Sequence, residues 1–219
     1  MQHKYVKLFA VTLFCIGLTR LHGQTVKDID GNVYKTAITG TQVWMAENLK
    51  TTKYNDGTAI PFVNDNNSWA ALITPAYCWY NNDSSTNKNT YGALYNWYSV
   101  NTNKLCPEGW HVSTDAEWTT LTTYLGGESV AGGKLKGTTH WEGPNTGATN
   151  ESGFNALSSG YRYYNGAFAN IGYYGFWWSA TEGNVSDAWA RYMGYTSSSV
   201  VRDKFSKQYG WSVRCLRDK

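Results

Sequence analysis

Apolar and polar positions follow two regimes along this chain, and the change falls near Gly137. Before it, strand-like and helix-like spacings are mixed. Val33–Thr39 and Thr41–Met45 are short β-prone runs on either side of Gly40, which predicts a hairpin. Asn48 to Asp56 is polar and reads as a loop. Ser68–Ile73 is long enough for one or two helical turns, ended by Pro75. Asn81–Asn89 carries no apolar residue and predicts an exposed loop. Tyr91, Leu94, Tyr95 and Tyr98 fall at helical spacing and predict a helix over Tyr91–Val100.

The best-signalled helix runs over Thr114–Leu125. Thr114 and Glu117 have the spacing of a capping box, in which the hydroxyl satisfies a free backbone N–H and the carboxylate reaches back. Asp115 places negative charge at the positive end of the helix. Trp118, Leu121 and Leu125 form its apolar stripe, and Gly126–Gly127 stops it. A shorter helix is expected over Ser129–Leu135. From Gly137 on, helical spacing disappears. After a Gly/Asn/Thr loop over Thr138–Ser152, six short runs are apolar or alternate, with turn residues between them: Phe154–Leu157, Gly160–Tyr164, Phe176–Ser179, Ala188–Tyr192, Ser198–Asp203 and Gly210–Leu216. Helices first and short strands later make the expected class α+β.

The first residues stand apart. Lys4 and Lys7 precede an uncharged, mostly apolar run of 11 residues from Leu8 to Leu18, and a short segment ending at Gly23 follows. That is the layout of a secretory signal peptide, and the run is too short to span a bilayer, which needs roughly 20 residues. Cleavage is expected after Gly23. Cys15 lacks the small residues that precede a lipidated cysteine. Removing 1–23 takes away Lys4, Lys7 and Arg20 and no acid. Lys plus Arg then falls from 19 to 16 against 16 acids, so the net charge of +3 belongs to the leader. The remaining chain, 24–219, is near neutral and of a size for one domain. It offers no basic patch for nucleic acid and no apolar run long enough to cross a membrane. Charged residues are 16% of the whole, low for a soluble domain, and aromatic residues are also 16%, so the core is expected to pack on Trp and Tyr.

Three cysteines follow the leader: Cys78, Cys106 and Cys215. An exported chain meets an oxidising compartment, and an odd number leaves one thiol over. Cys106 and Cys215 sit in hydrophobic, strand-like settings and are the expected disulfide, with Cys78 a buried thiol between Tyr77 and Trp79. Pairing of Cys78 with Cys106 or with Cys215 stays open on sequence grounds.

Seven segments then occur in order: DIDGNVY (28–34), VWMAENL (43–49), YGALYNWY (91–98), CPEGWHVSTDAEW (106–118), GFNAL (153–157), WWSATE (177–182) and WSVRC (211–215). Together they resemble the Fibrobacter succinogenes major paralogous domain, a family of exported bacterial domains. That family is similar to the C-type lectin-like fold and, more distantly, to formylglycine-generating (sulfatase-modifying) enzymes. The resemblance implies two helices flanking a small twisted antiparallel sheet, terminal strands that meet, and a loop-rich second half carrying the variable surface. It also implies display at the cell surface and adhesion or ligand capture.

Catalytic signatures are not found. The two histidines after the leader, His111 and His140, are not in a metal-binding spacing, and no HExxH, CxxC, GxSxG or phosphate loop occurs. Glu117 reads as a cap, and His111 as packed or hydrogen-bonded. An oxidase of the formylglycine-generating kind would need a reactive cysteine pair, which the expected disulfide removes. Lectin-type calcium motifs are approached by Glu142-Gly143-Pro144-Asn145 and by Trp79-Tyr80-Asn81-Asn82-Asp83, but each carries an insertion. No cofactor and no metal is expected. Trp110, Trp118, Trp177 and Trp211 are expected in the core, and Gly109, Gly153 and Gly160 in turns or close approaches.

The candidate ligand-binding stretch is 160–179, where Tyr161, Arg162, Tyr163, Tyr164, Asn165, Tyr173 and Tyr174 crowd together among glycines. Strand alternation cannot hide every ring on one face, so some should meet solvent beside amide and guanidinium donors. Such a surface suits sugars. The expectation is a secreted or cell-surface binding module for polysaccharide or glycoprotein, without catalysis. A structural or adhesion domain with a protein partner is the second expectation, and the oxidase the third.

Overall fold

A computed structural model describes residues 24–219; the expected leader lies outside the described residues. The elements in chain order are β1 (Thr25–Lys27), β2 (Val33–Thr39), β3 (Gln42–Met45), α1 (Asn66–Ala70), β4 (Tyr77–Cys78), α2 (Ser84–Tyr91), β5 (Leu94–Tyr95), α3 (Trp97–Val100), β6 (Trp110–Val112), α4 (Asp115–Tyr124), α5 (Glu128–Leu135), β7 (Ser159–Arg162), β8 (Phe168–Ile171), β9 (Tyr174–Glu182), β10 (Asp187–Gly194), β11 (Val201–Ser206) and β12 (Cys215–Arg217). They build two five-stranded sheets, β1-β2-β3-β12-β6 and β11-β10-β9-β7-β8, and the small pair β4-β5. All strand pairs are antiparallel except β7 with β9. The class is thus mixed α and β, with two antiparallel-rich sheets and a few helices. Among the described residues no helix is long and apolar enough to cross a membrane.

The β2–β3 hairpin turns at Gly40, φ +60°, as the sequence predicts. Helix α4 is capped as expected. The Thr114 hydroxyl accepts from Glu117 N, and Glu117 Oε2 accepts from Thr114 N at 2.8 Å. The last strand, β12, inserts between β3 and β6, so the two ends of the described chain share one sheet.

Four expected elements change. Asn81–Asn89 is not a loop: Asp83 accepts from Ser85 N and Thr86 N and starts α2, a helix made by its cap and not by an apolar stripe. Tyr91–Val100 is not one helix. Gly92, at φ +76°, ends α2 where a Cβ would meet Leu49 O at 2.8 Å, and Leu94–Tyr95 then pairs with Tyr77–Cys78 as strand. Asn96 caps the short α3 that follows. Phe154–Leu157 forms a single bridge from Ala156 to Lys136 in place of a strand, while Phe168–Ile171, unmarked by the pattern, is β8. Within Gly210–Leu216 only the end is strand; Trp211 and Ser212 make isolated bridges to Tyr95 and Trp177.

Two large apolar clusters flank the second sheet. One gathers Trp44, Trp118, Leu121, Phe154, Trp177 and Met193 beneath α4. The other gathers Tyr95, Trp97, Phe176, Trp178 and Trp211, among others. Trp118, Trp177 and Trp211 are therefore core as expected, whereas Trp110 is only half-buried, because β6 is the edge of its sheet. Cys106 and Cys215 form the expected disulfide, 109 residues apart in sequence, and Cys78 is buried and free. Closing so long a loop removes unfolded-chain entropy worth on the order of 4–5 kcal/mol.

Buried cations hold the loops together. Arg214 Nε donates to Asn48 Oδ1 at 2.6 Å, and its terminal nitrogens donate to the carbonyls of Met45, Phe154 and Asn155. A guanidinium with several fixed donors can satisfy main-chain carbonyls that no ladder reaches.

Candidate functional site

Alternation along β9 separates two faces. Trp177 points under α4 into one cluster, while Phe176 and Trp178 join the other, with Tyr174 packed at its margin. On β10, Tyr192 lies opposite Phe176 and Ala190 opposite Trp178, so these residues share the second face. Phe205 on β11 lies opposite Ala188 and belongs there too. At the α3 end this face is sealed: Trp97 Nε1 donates to Ser179 O at 2.9 Å, and Trp178 Nε1 to Tyr95 O at 2.8 Å. At the other end no described residue covers it. There Tyr161, Tyr174, Tyr192, Phe205 and Tyr209 are half-buried around a buried Phe176.

The rings form a continuous array. Phe176 stacks on Tyr192 with centroids 5.2 Å apart and on Trp211 at 4.9 Å. Tyr161 meets the Phe176 ring edge-on at 4.9 Å, and Tyr163 lies 4.9 Å from Tyr209. Two recesses open in the array. One, of about 300 Å³, is lined by Asn170, Tyr174, Phe176, Tyr192 and Phe205. The other, of about 180 Å³, is lined by Tyr161, Tyr163, Phe176, Phe205, Tyr209 and Trp211. Phe176 and Phe205 border both, so the two form one groove. Asn170 Nδ2 donates to the Tyr161 hydroxyl at 3.3 Å, and burial raises the Tyr161 and Tyr192 pKa values, which keeps the phenols neutral.

The seven residues singled out from sequence divide. Tyr161, Tyr163 and Tyr174 line the groove. Tyr164 stands exposed at its rim, 4.8 Å from Tyr163. Tyr173 is also exposed but packs on Tyr195, off the two recesses. Asn165 is an exposed turn residue whose Oδ1 accepts from Ala167 N. Arg162 is not a surface donor. Its guanidinium is wholly buried, lies 4.4 Å from the Trp69 ring, and donates to the carbonyls of Val63, Asn64 and Gly166 and to Asn66 Oδ1. Its place next to Tyr161 in a strand put it on the opposite face. Tyr192, Phe205 and Tyr209 were missed by sequence reasoning. Alternation in Ala188–Tyr192 carried a signal for Tyr192; nothing local marked the other two, because their strand and turn reach the groove only through sheet pairing.

A second polar cluster lies on the first sheet. His111 Nε2 is 3.0 Å from both oxygens of Glu117, and Nδ1 is 2.6 Å from Asp218 Oδ1. Hydrogen bonding to Glu117, with Asp218 adding to it, holds the His111 pKa up at about 9 against the opposing effect of burial. Although burial works against it, bonding to His111 and Thr114 holds Glu117 down at about 2. The cluster ties the C-terminal tail to the start of α4; Glu117 is both cap and ion-pair partner.

Both calcium-like motifs are engaged in local structure. Asp83 is used in capping α2, and Asn145 Nδ2 donates to Gly137 O. Among the described residues no group of three or more His, Cys, Asp or Glu side chains is placed to hold a metal ion.

A family model described as Fibrobacter succinogenes major domain matches residues 38–217. No curated protein and no solved structure matches the chain.

Proposed function

The chain belongs to the Fibrobacter succinogenes major domain family, and from that premise we propose that it is an exported binding module whose open aromatic groove on β7, β9, β10 and β11 captures carbohydrate at the cell surface or beyond it. The observation that carries the reading is the groove itself: neutral rings and phenol hydroxyls surround two adjoining recesses on a rigid sheet. Apolar sugar faces stack on such rings, and sugar hydroxyls exchange hydrogen bonds with phenols and with Asn170. Tyrosine does this at low entropic cost, since few torsions are frozen. The charge pattern of the first residues supports export, and the disulfide suits an oxidising compartment. A C-type lectin-like frame accords with the insertion of β12 between β3 and β6 and with the adjoining α4 and α5.

Chemistry on a cysteine has little to recommend it here. Two of the three described cysteines are joined, and burial pushes the third, Cys78, up to about 12, where the thiolate is scarce. Capture of a protein partner by strand addition is opposed at one edge of the second sheet, because β11 carries Arg202, Asp203 and Lys204 in succession.

The test is retention on a panel of soluble and insoluble polysaccharides. At least one should retain the protein, and Tyr174→Ala and Tyr192→Ala should each weaken retention about tenfold or more while the circular dichroism melt stays cooperative. Absence of retention on every glycan, or full retention by both variants, overturns the reading.

A further inference from the structure

The smaller recess differs from its neighbour in one respect: every residue lining it is aromatic. Tyr161, Tyr163, Phe176, Phe205, Tyr209 and Trp211 surround about 180 Å³, and the recess opens to solvent on one side. The rings meet at angles that enclose a space instead of closing over it. Phe205 stands edge-on to Trp211 at 4.8 Å, Tyr209 is tilted 53° to Trp211 at 5.3 Å, and Tyr161 stands edge-on to Phe176 at 4.9 Å. Space of this size suits a compact group of a few heavy atoms; a cavity of roughly 150 Å³ accommodates benzene.

Charge narrows the choice. No lysine or arginine lines the recess. The nearest strand cation in sequence, Arg162, is turned away and held by main-chain oxygens. Lys207 is drawn to Glu182 and to Val185 O. Asp203, two residues before Phe205 on β11, is exposed on the same side of the sheet. The faces of aromatic rings carry negative potential and attract cations within about 6 Å. The recess has phenol hydroxyls but no carboxylate among its lining residues. A primary ammonium, strongly hydrated, would lose water there without regaining enough acceptors. A methylated ammonium is weakly hydrated and presents an apolar, positively charged surface to every wall.

We propose that this recess is an aromatic cage for a quaternary or multiply methylated ammonium group, carried on a larger ligand or free as a choline-like cation. The inference goes beyond carbohydrate capture and does not require it, since Tyr174, Tyr192 and Asn170 lie outside the cage.

Isothermal titration with choline tests it against 3,3-dimethylbutan-1-ol, the neutral molecule of the same shape. Choline should bind with a Kd on the order of a millimolar, and about tenfold more tightly than the alcohol. Tyr209→Phe should keep that preference and Tyr209→Leu should lose it. Tyr163→Leu, at the edge of the recess, is a second variant in case the first disturbs folding. Tyr192→Ala should leave choline binding within about twofold, although it weakens retention on glycan. Equal binding of choline and the alcohol makes the recess merely apolar and overturns the proposal, as does the absence of choline binding up to saturating concentration. Glycan retention without choline binding removes the cage alone; choline binding without any glycan retention removes the carbohydrate reading alone.

Discussion

The two faces of the second sheet are built from the same residue class and come to opposite ends. Beneath α4, Trp44, Trp118, Phe154 and Trp177 are wholly buried, and Trp44 and Trp118 lie 5.1 Å apart. On the other face Phe176, Tyr192, Phe205, Tyr209 and Tyr161 form an array that no helix among the described residues covers over its outer half. The closed face uses tryptophan and phenylalanine. The open face is rich in tyrosine, whose hydroxyl can remain in water while the ring packs. Aromatic content therefore does not separate core from surface in this molecule. Helix placement decides it: α4 is anchored over β9 and β10, where Arg191 Nη1 donates to Asp115 Oδ1 at 2.7 Å and Asp115 also bonds Arg202.

Substitutions on the two faces test that contrast. The largest expected effect is on the closed face: Trp118→Ala should cost about 3–5 kcal/mol in urea unfolding, since a large ring is removed from a site with no solvent to fill it. On the open face, Tyr192→Ala should cost only about 1 kcal/mol and register instead as lost glycan retention. Similar destabilisation by both would make the open face core.

The smallest effect concerns the cluster that fixes the start of α4. His111 is held above its ordinary value of 6.5, at about 9. Its contribution is therefore complete below about pH 6.5 and is lost as pH rises through 9. With the imidazole more than a third exposed, solvent screening limits this to about 1 kcal/mol at most. Urea midpoints for the native protein and for His111→Gln should differ at pH 6 and converge by pH 10. Glu117 has the opposite sense: its contribution is present above about 4.5 and is lost as pH falls toward 2.

Local signals in the sequence are legible. The capping box of α4 and the Gly40 hairpin rest on residues whose chemistry is decided by near neighbours, whereas the hydrophobic settings of Cys106 and Cys215 favoured their pairing without closing the alternatives. Elements created by a single cap were not legible. Helix α2 has no apolar stripe, and only the Asp83 carboxylate announces it. Tyr91, Leu94, Tyr95 and Tyr98 gave a helical period by coincidence, because Gly92 and Asn96 interrupt the backbone between them. The aromatic stretch 160–179 was visible as a crowd of rings, yet which rings face outward depends on register. Arg162 went inward to its carbonyls, while Phe205 and Tyr209 come from well beyond the stretch.

The proposed capture surface is the uncovered half of one face of the second sheet. It is tested most directly by titrating a retained polysaccharide fragment into protein carrying ¹³C-labelled aromatic side chains and following each ring by NMR. The rings of Tyr174, Phe176, Tyr192 and Phe205 should shift with the ligand while those of Trp44, Trp118 and Trp177 stay fixed. Shifts centred on the His111–Glu117–Asp218 cluster, with the groove rings unmoved, would contradict it.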